Sequence, residues 1–187
     1  MHRKLTLILL ALAVSLTVGV SAALAGTTGG KDDPGVTPKS ILLGGTAPLS
    51  GLASSYASVS RGAEAYFKYV NARGGVNGRM ITYKVLDDGY NAAQTVPLTR
   101  QLVEQDKVFA IFNPLGTESN LAVRPYLNQA KVPQLFVGSG ATTFGRDYAQ
   151  FPDTIGFQPT YQAEGWVYGK YLAHMPPGWR AGSERRG

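Results

Sequence analysis

The 187-residue chain contains no cysteine. That excludes disulfides, thiolate metal sites and lipid attachment at a cysteine. Histidine is nearly absent. His2 lies at the extreme start, so a serine triad or a histidine metal site would rest on His174 alone. Charge is sparse as well, at 16% of residues, and the formal net charge of +6 is scattered. Only the end is locally basic, with Arg180, Arg185 and Arg186. A nucleic-acid surface needs a basic stripe with aromatics between, and the chain has none. Past the first 25 residues no run is long and apolar enough to cross a membrane.

Motifs that carry chemistry are missing too. Gly138, Gly140 and Gly145 lack the G-x-G-x-x-G spacing, and no acid follows a later strand to hold a ribose. There is no G-x-x-x-x-G-K-[ST]. Ser139 lies in G-S-G and not in a G-x-S-x-G elbow. Asp87-Asp88 reads as a turn and cap after a strand, and Glu118 and Glu164 as solvated acids. No cofactor and no metal site is expected, and the chain reads as a binding protein and not as an enzyme.

The start of the chain is distinctive. His2, Arg3 and Lys4 precede an apolar run over 5–20, broken only by Thr6, Ser15, Thr17 and Gly19. Ala23-Leu24-Ala25 then places small residues where a signal peptidase cuts. Residues 1–25 read as a signal peptide, with retention as a membrane anchor the alternative. Removing these 25 residues from 187 leaves 162, enough for one domain. Residues 26–39 are Gly, Thr, Asp and Pro with little to bury, a flexible leader.

From Ser40 onward, strand and helix patterns alternate. Ile41-Leu42-Leu43-Gly44-Gly45-Thr46 is an apolar strand ending in glycines. Ala63, Tyr66, Phe67 and Val70 make one face of a helix that Gly74-Gly75 stops. A strand over 80–87 and a helix over 92–105 follow, with Pro97 placed in the helix's first turn. Then come a strand over 108–112, a helix over 117–130, a strand over 133–137, a short strand over 154–157 and a helix over 162–173. Short apolar strands alternating with helices predict an α/β fold: a mostly parallel sheet with helices on both faces.

In such sheets ligands bind beyond the carboxyl ends of the strands. Three strand-end loops are rich in Gly, Ser and Thr and poor in charge. They are Gly44 through Gly51 leading to Ser54-Ser55-Tyr56, then Asn113-Pro114-Leu115-Gly116-Thr117, and Gly138-Ser139-Gly140-Ala141-Thr142-Thr143. Hydroxyls, backbone N–H groups and a helix N-terminus can hold an anion there, a carboxylate for example. Each loop alone is also an ordinary turn and cap.

These residues resemble a known family. Ala47-Pro48-Leu49-Ser50-Gly51, Arg61-Gly62-Ala63, the run Asn71-Ala72-Arg73-Gly74-Gly75-Val76-Asn77-Gly78-Arg79, Asp87-Asp88, Lys131-Val132-Pro133-Gln134-Leu135 and Ser139-Gly140-Ala141-Thr142 carry the likeness. Their order resembles the branched-chain amino acid (Leu/Ile/Val-type) substrate-binding proteins of ABC transporters, with the type I periplasmic-binding fold. The resemblance implies a two-lobed clamp of which 40–174 is the N-terminal lobe. It implies a small-molecule solute, an amino acid or amide, as ligand, and an ABC permease in the membrane as partner. It implies a ligand carboxylate held at Gly116, Thr117, Ser139, Gly140, Ala141 and Thr142, with Tyr56 packed on the ligand. An exported location, periplasmic or extracellular, agrees with the N-terminal segment.

The end departs from that pattern. Residues 175–187 hold two prolines and three glycines and no apolar run, where the family implies a second lobe opening on a buried strand. They read as an irregular tail left by truncation or a frameshift. The expected consequences are weak affinity and exposed faces prone to association. Two other classes fit less of the chain. A ligand-sensing domain of the same fold would show a second hydrophobic segment, and an exported hydrolase would depend on His174.

Overall fold

The computed structural model describes residues 33–175. The expected signal segment, residues 26–32 of the leader and residues 176–187 of the tail lie outside the described residues. The last part of the expected leader is tied to the domain. The Leu42 N–H donates to the Gly35 carbonyl at 2.7 Å, and Arg79 Nε donates to the Thr37 carbonyl at 3.0 Å.

The first strand, β1 (Ser40–Ala47), lies between β2 (Met80–Asp87) and β3 (Ala110–Phe112). It does not end at its glycines but runs through them. A methyl at Gly44 would come within 3.0 Å of Val108 and 3.2 Å of Leu102, and one at Gly45 within 2.5 Å of the Tyr83 hydroxyl. Glycine is what lets a helix and a tyrosine close on β1. The Tyr83 hydroxyl donates to the Phe112 carbonyl at 2.9 Å, and burial first of all raises its pKa far above the tyrosine norm.

A short 3-10 turn, Ser54–Tyr56, leads into α1 (Ala57–Asn71). Its end is fixed by Asn71, whose side chain donates to the Ile81 carbonyl and accepts from the Ile81 N–H, both at 2.8 Å. The next helix, α2 (Ala92–Arg100), starts at Asn91, which caps the Ala93 N–H at 2.9 Å. That cap puts Pro97 at the sixth position and not in the first turn. The helix then widens into a π turn, Gln101–Gln105.

Helix α3 (Thr117–Ala130) holds Pro125 in its interior and stops at Lys131, which adopts the left-handed conformation. After it come β4 (Gln134–Val137), a single turn α4 (Thr143–Arg146), β5 (Thr154–Gly156) and α5 (Tyr161–Ala173).

All five strands pair in parallel, in the order β2-β1-β3-β4-β5. Alternation along β3 shows the two faces. Ile111 packs with Leu102, Val108, Val123 and Leu127, the side of α2 and α3. Ala110 and Phe112 turn the other way, to Leu43 and Phe67 of α1. Each large, fully buried side chain here, such as Ile111 or Leu127, contributes about 1.5–3 kcal/mol.

The α1 face carries an edge-to-face aromatic row. It runs from Phe67 through Tyr83 and Phe112 to Phe136 and Phe157, with ring centroids 5.2 to 6.3 Å apart. Its far end is uncovered: Phe157 is 69% exposed. No residue of α5 is buried, and Trp166, Val167, Tyr171 and Leu172 all face solvent.

Candidate functional site

The chain leaves β1 toward β2 on one side and later returns to β3 on the other. The gap between β1 and β3 is therefore the point at which strand order reverses, and a crevice forms beyond the strand ends there. A cleft of about 370 Å³ occupies it, and every strand contributes through the loop or helix that follows it. Tyr56 and Val59 follow β1, Tyr90 follows β2, Leu115 and Gly116 follow β3, Gly138 follows β4, and Gln158, Tyr161 and Glu164 follow β5. A larger hollow of about 440 Å³ runs along α5, past Pro159, Ala163 and Val167. It draws on that helix and the residues just before it, so it lacks convergent groups from separate strands.

The loop after β3 is held by its neighbours. The Leu115 N–H donates to the Thr46 carbonyl at 3.3 Å, and the Gly116 N–H to the Gly138 carbonyl at 3.2 Å. Buried Asn120 donates to the Pro114 and Gly116 carbonyls and accepts from buried Gln134 at 2.9 Å. Gln134 in turn accepts from Thr154, and Thr154 from Asn128. This satisfied polar network spans α3, β4 and β5 and fixes where the strand-end loops stand.

Gly116 has φ of +102°, and a methyl there would lie 2.9 Å from the Tyr90 ring. Glycine is needed on both counts. Tyr90 is itself left-handed, with φ of +62°. Its N–H donates to buried Asp88, which also accepts from the Thr95 hydroxyl. Asp87 accepts from the Leu49, Ser50 and Gly89 N–H groups. The acid pair is thus a turn-forming device that presents Tyr90 to the cleft.

Two hydroxyls meet between the loops that follow β3 and β4. Thr117 Oγ1 and Ser139 Oγ are 2.6 Å apart, and Ser139 Oγ also accepts from the Ala141 N–H at 3.1 Å. No side chain caps the N-terminus of α3, where Thr117 stands, so its amides keep their partial positive charge. Burial, followed by the nearby Tyr161, Glu118, Tyr56 and Asp88, raises the Tyr90 phenol pKa. The Gly140 backbone foremost, with the Ser139 and Thr117 hydroxyls, lowers that of Tyr161 against the opposing effect of burial.

Of the residues expected from sequence, Tyr56 and Gly116 line the cleft directly. Thr117, Ser139 and Gly140 join it through Tyr161. The Gly116 and Ala141 amides are already engaged within the loops. Thr142 turns its hydroxyl to Gln162 at 3.2 Å, toward α5. Sequence reading missed Tyr90 and Tyr161. Both follow strands, so extending the strand-end rule to β2 and β5 would have found them. Among the described residues no group of three or more His, Cys, Asp or Glu is placed to hold a metal ion.

The profile of the family described as periplasmic binding protein matches residues 40–182. A Pseudomonas aeruginosa protein described as an amino acid binding protein is 29% identical over 133 residues, 70% of this chain and 32% of its own length. The crystal structure of a possible leucine/isoleucine/valine-binding protein from Rhodopirellula baltica is similar in fold. It has a TM-score of 0.66 and 23% identity over 78% of this chain and 37% of that one. A fatty acid ABC transporter substrate-binding protein from Thermomonospora curvata has a TM-score of 0.60 and 29% identity, over 76% and 36%. The chain therefore spans about a third of the length of the proteins it matches.

Proposed function

The chain belongs to the periplasmic binding protein family, and from that premise we propose that it is the solute-binding component of an ABC importer. The solute is a branched-chain or related amino acid or amide, received outside the cytoplasmic membrane and passed to a membrane permease. Residues 40–174 are then one lobe of the solute-binding domain, and residues 1–25 the signal for export. The relative described as an amino acid binding protein supports this ligand class.

One observation carries the reading. The Thr117 and Ser139 hydroxyls, 2.6 Å apart, stand beside the uncapped end of α3, between the loops that follow β3 and β4. An anionic oxygen there receives the one hydroxyl proton that the pair does not share and the helix's partial charge, with no opposing cation to desolvate. Gly140, Ala141 and Thr142 continue that wall, and Tyr56 and Tyr90 cover the apolar part of the solute from the rim. The rim tyrosines are half exposed, Tyr56 at 56% and Tyr90 at 50%. A solute on this wall keeps one side in water, so the affinity of this chain is on the order of millimolar.

Titration of the labelled protein with L-leucine, L-isoleucine, L-valine and their amides, followed by NMR, tests the reading. Saturable shifts at Thr117 and Ser139 are expected with the acids. No shift with any of them, or a micromolar constant for this chain, would sink it.

A further inference from the structure

Tyr161 stands in an unusual place. Its N–H donates to the Gly140 carbonyl at 2.7 Å, and its ring lies against the Gly140 Cα. A methyl on Gly140 would fall 2.5 and 2.6 Å from Cδ1 and Cε1 of the ring. The ring lines the same cleft as Gly116 and Gly138. The groups facing its phenol are the Gly140 backbone and the hydroxyls of Ser139 and Thr117, and they hold that phenol below the ordinary tyrosine range. These are the groups to which the proposed function assigns the solute's carboxylate.

The element that carries Tyr161 is weakly held. No side chain of α5 is buried. Its start is tied to the domain by the Tyr161 N–H on the Gly140 carbonyl and by the Thr142 hydroxyl on Gln162, while Thr160 caps the helix's own first turn at the Ala163 N–H. An element with so little buried surface separates at small free-energy cost.

We propose that Tyr161 is a built-in occupant of the hydroxyl pair, so that a solute reaches Thr117 and Ser139 only when the ring leaves Gly140 and α5 moves with it. This rests on the carboxylate reading of the site. It makes the start of α5 a gate whose closed state competes with ligand, and apparent affinity falls by the fraction of molecules that are open.

Two variants separate the parts. Tyr161→Phe keeps the ring and removes the phenol oxygen, and Gly140→Ala pushes the ring away. By NMR titration with L-leucine, Tyr161→Phe is expected to bind about 3- to 10-fold tighter, one neutral hydrogen bond's worth, with Gly140→Ala changing in the same direction. Unchanged or weaker binding in Tyr161→Phe would overturn the proposal, because the phenol would then be idle or would itself hold the solute. A ligand-free measurement stands apart from the amino-acid reading. Followed by near-ultraviolet absorbance, one phenol among the ten tyrosines should ionise below the rest. That component should vanish in Tyr161→Phe and move up in Thr117→Val. Glu118, Glu164, Tyr56 and Tyr90 share the cleft region and remain in every variant. If Tyr161→Phe keeps the early component, the docked phenol is wrong whatever binds. If no variant responds to leucine while that component behaves as expected, the ligand class falls and the occupied cradle stands.

Discussion

Thr117 Oγ1 lies 2.6 Å from Ser139 Oγ, joining the loop after β3 to the loop after β4. Two hydroxyls this close share one proton between them and leave another to donate outward. That geometry suits an incoming acceptor, and it sets the first expectation.

Replacing Thr117 by Val removes a donor to an anionic oxygen, worth about 1.5–3 kcal/mol, or roughly 10- to 100-fold in affinity. L-Leucine should no longer saturate Thr117→Val, while Thr117→Ser should stay within about threefold of the parent, since its hydroxyl is retained. An NMR titration of the three proteins checks this, and equal constants for Val and Thr would refute it.

Gly116→Ala forces a side chain into φ of +102° and against the Tyr90 ring. The expected loss is about 1–3 kcal/mol of stability, read from urea unfolding. Adding Tyr90→Ala should recover only the steric part, because the backbone strain remains. Full recovery would mean that φ costs nothing here.

Asn120 is fully buried and serves Pro114, Gly116 and Gln134 at once. Asn120→Ala strands three polar groups and should cost about 2–4 kcal/mol in denaturant unfolding. Asn120→Asp keeps the acceptor for Gln134 but not the donors for the carbonyls, and should also destabilise. A loss below about 0.5 kcal/mol for Asn120→Ala, the scale of an ordinary surface change, would show that the network is not what holds the loop.

Asp147 supplies a pH dependence. Hydrogen bonding from Arg146 first, then from Thr143, lowers its carboxyl to about 2. The folded value is thus depressed below the ordinary 3.8. The stability it contributes is fully present above that ordinary value and is lost as pH falls toward about 2. Asp147→Asn should flatten the stability profile within that window and leave the profile near neutrality parallel to the parent's. An unchanged acid limb would contradict the assignment.

The open end of the aromatic row should be sticky. Phe136 and Phe157 are 39% and 69% exposed beside the sheet edge at β5. The chain should associate in a concentration-dependent way by analytical ultracentrifugation, and Phe136→Ser with Phe157→Ser should reduce that. A sharp monomer at all concentrations in the parent protein would count against it.

Element type and order were legible from local pattern. The strand over 80–87 and the helix over 117–130 coincide with β2 and α3, because strand alternation and helical spacing are short-range properties of the chain. Breaks in the pattern misled. Gly44 and Gly45 read as a strand end, yet they sit inside β1, since what demands glycine there is Leu102, Val108 and Tyr83, all distant in sequence. Pro97 read as a first-turn residue, yet the Asn91 cap starts the helix five positions before it. The single turn α4 carries too few residues to show a period.

What the sequence by itself determined is the class of fold and the loops worth examining: short apolar strands, helices between them, and uncharged Gly/Ser/Thr loops after the strands. Hydrogen bonding and side-chain spacing within each element suffice for that. Only the tertiary structure decided which loops meet. The order β2-β1-β3-β4-β5 brings Thr117 onto Ser139, Tyr90 onto Gly116 and Tyr161 onto Gly140. These contacts join residues 21 to 26 positions apart. They exist because parallel pairing sets each strand end beside a neighbour that local spacing does not name.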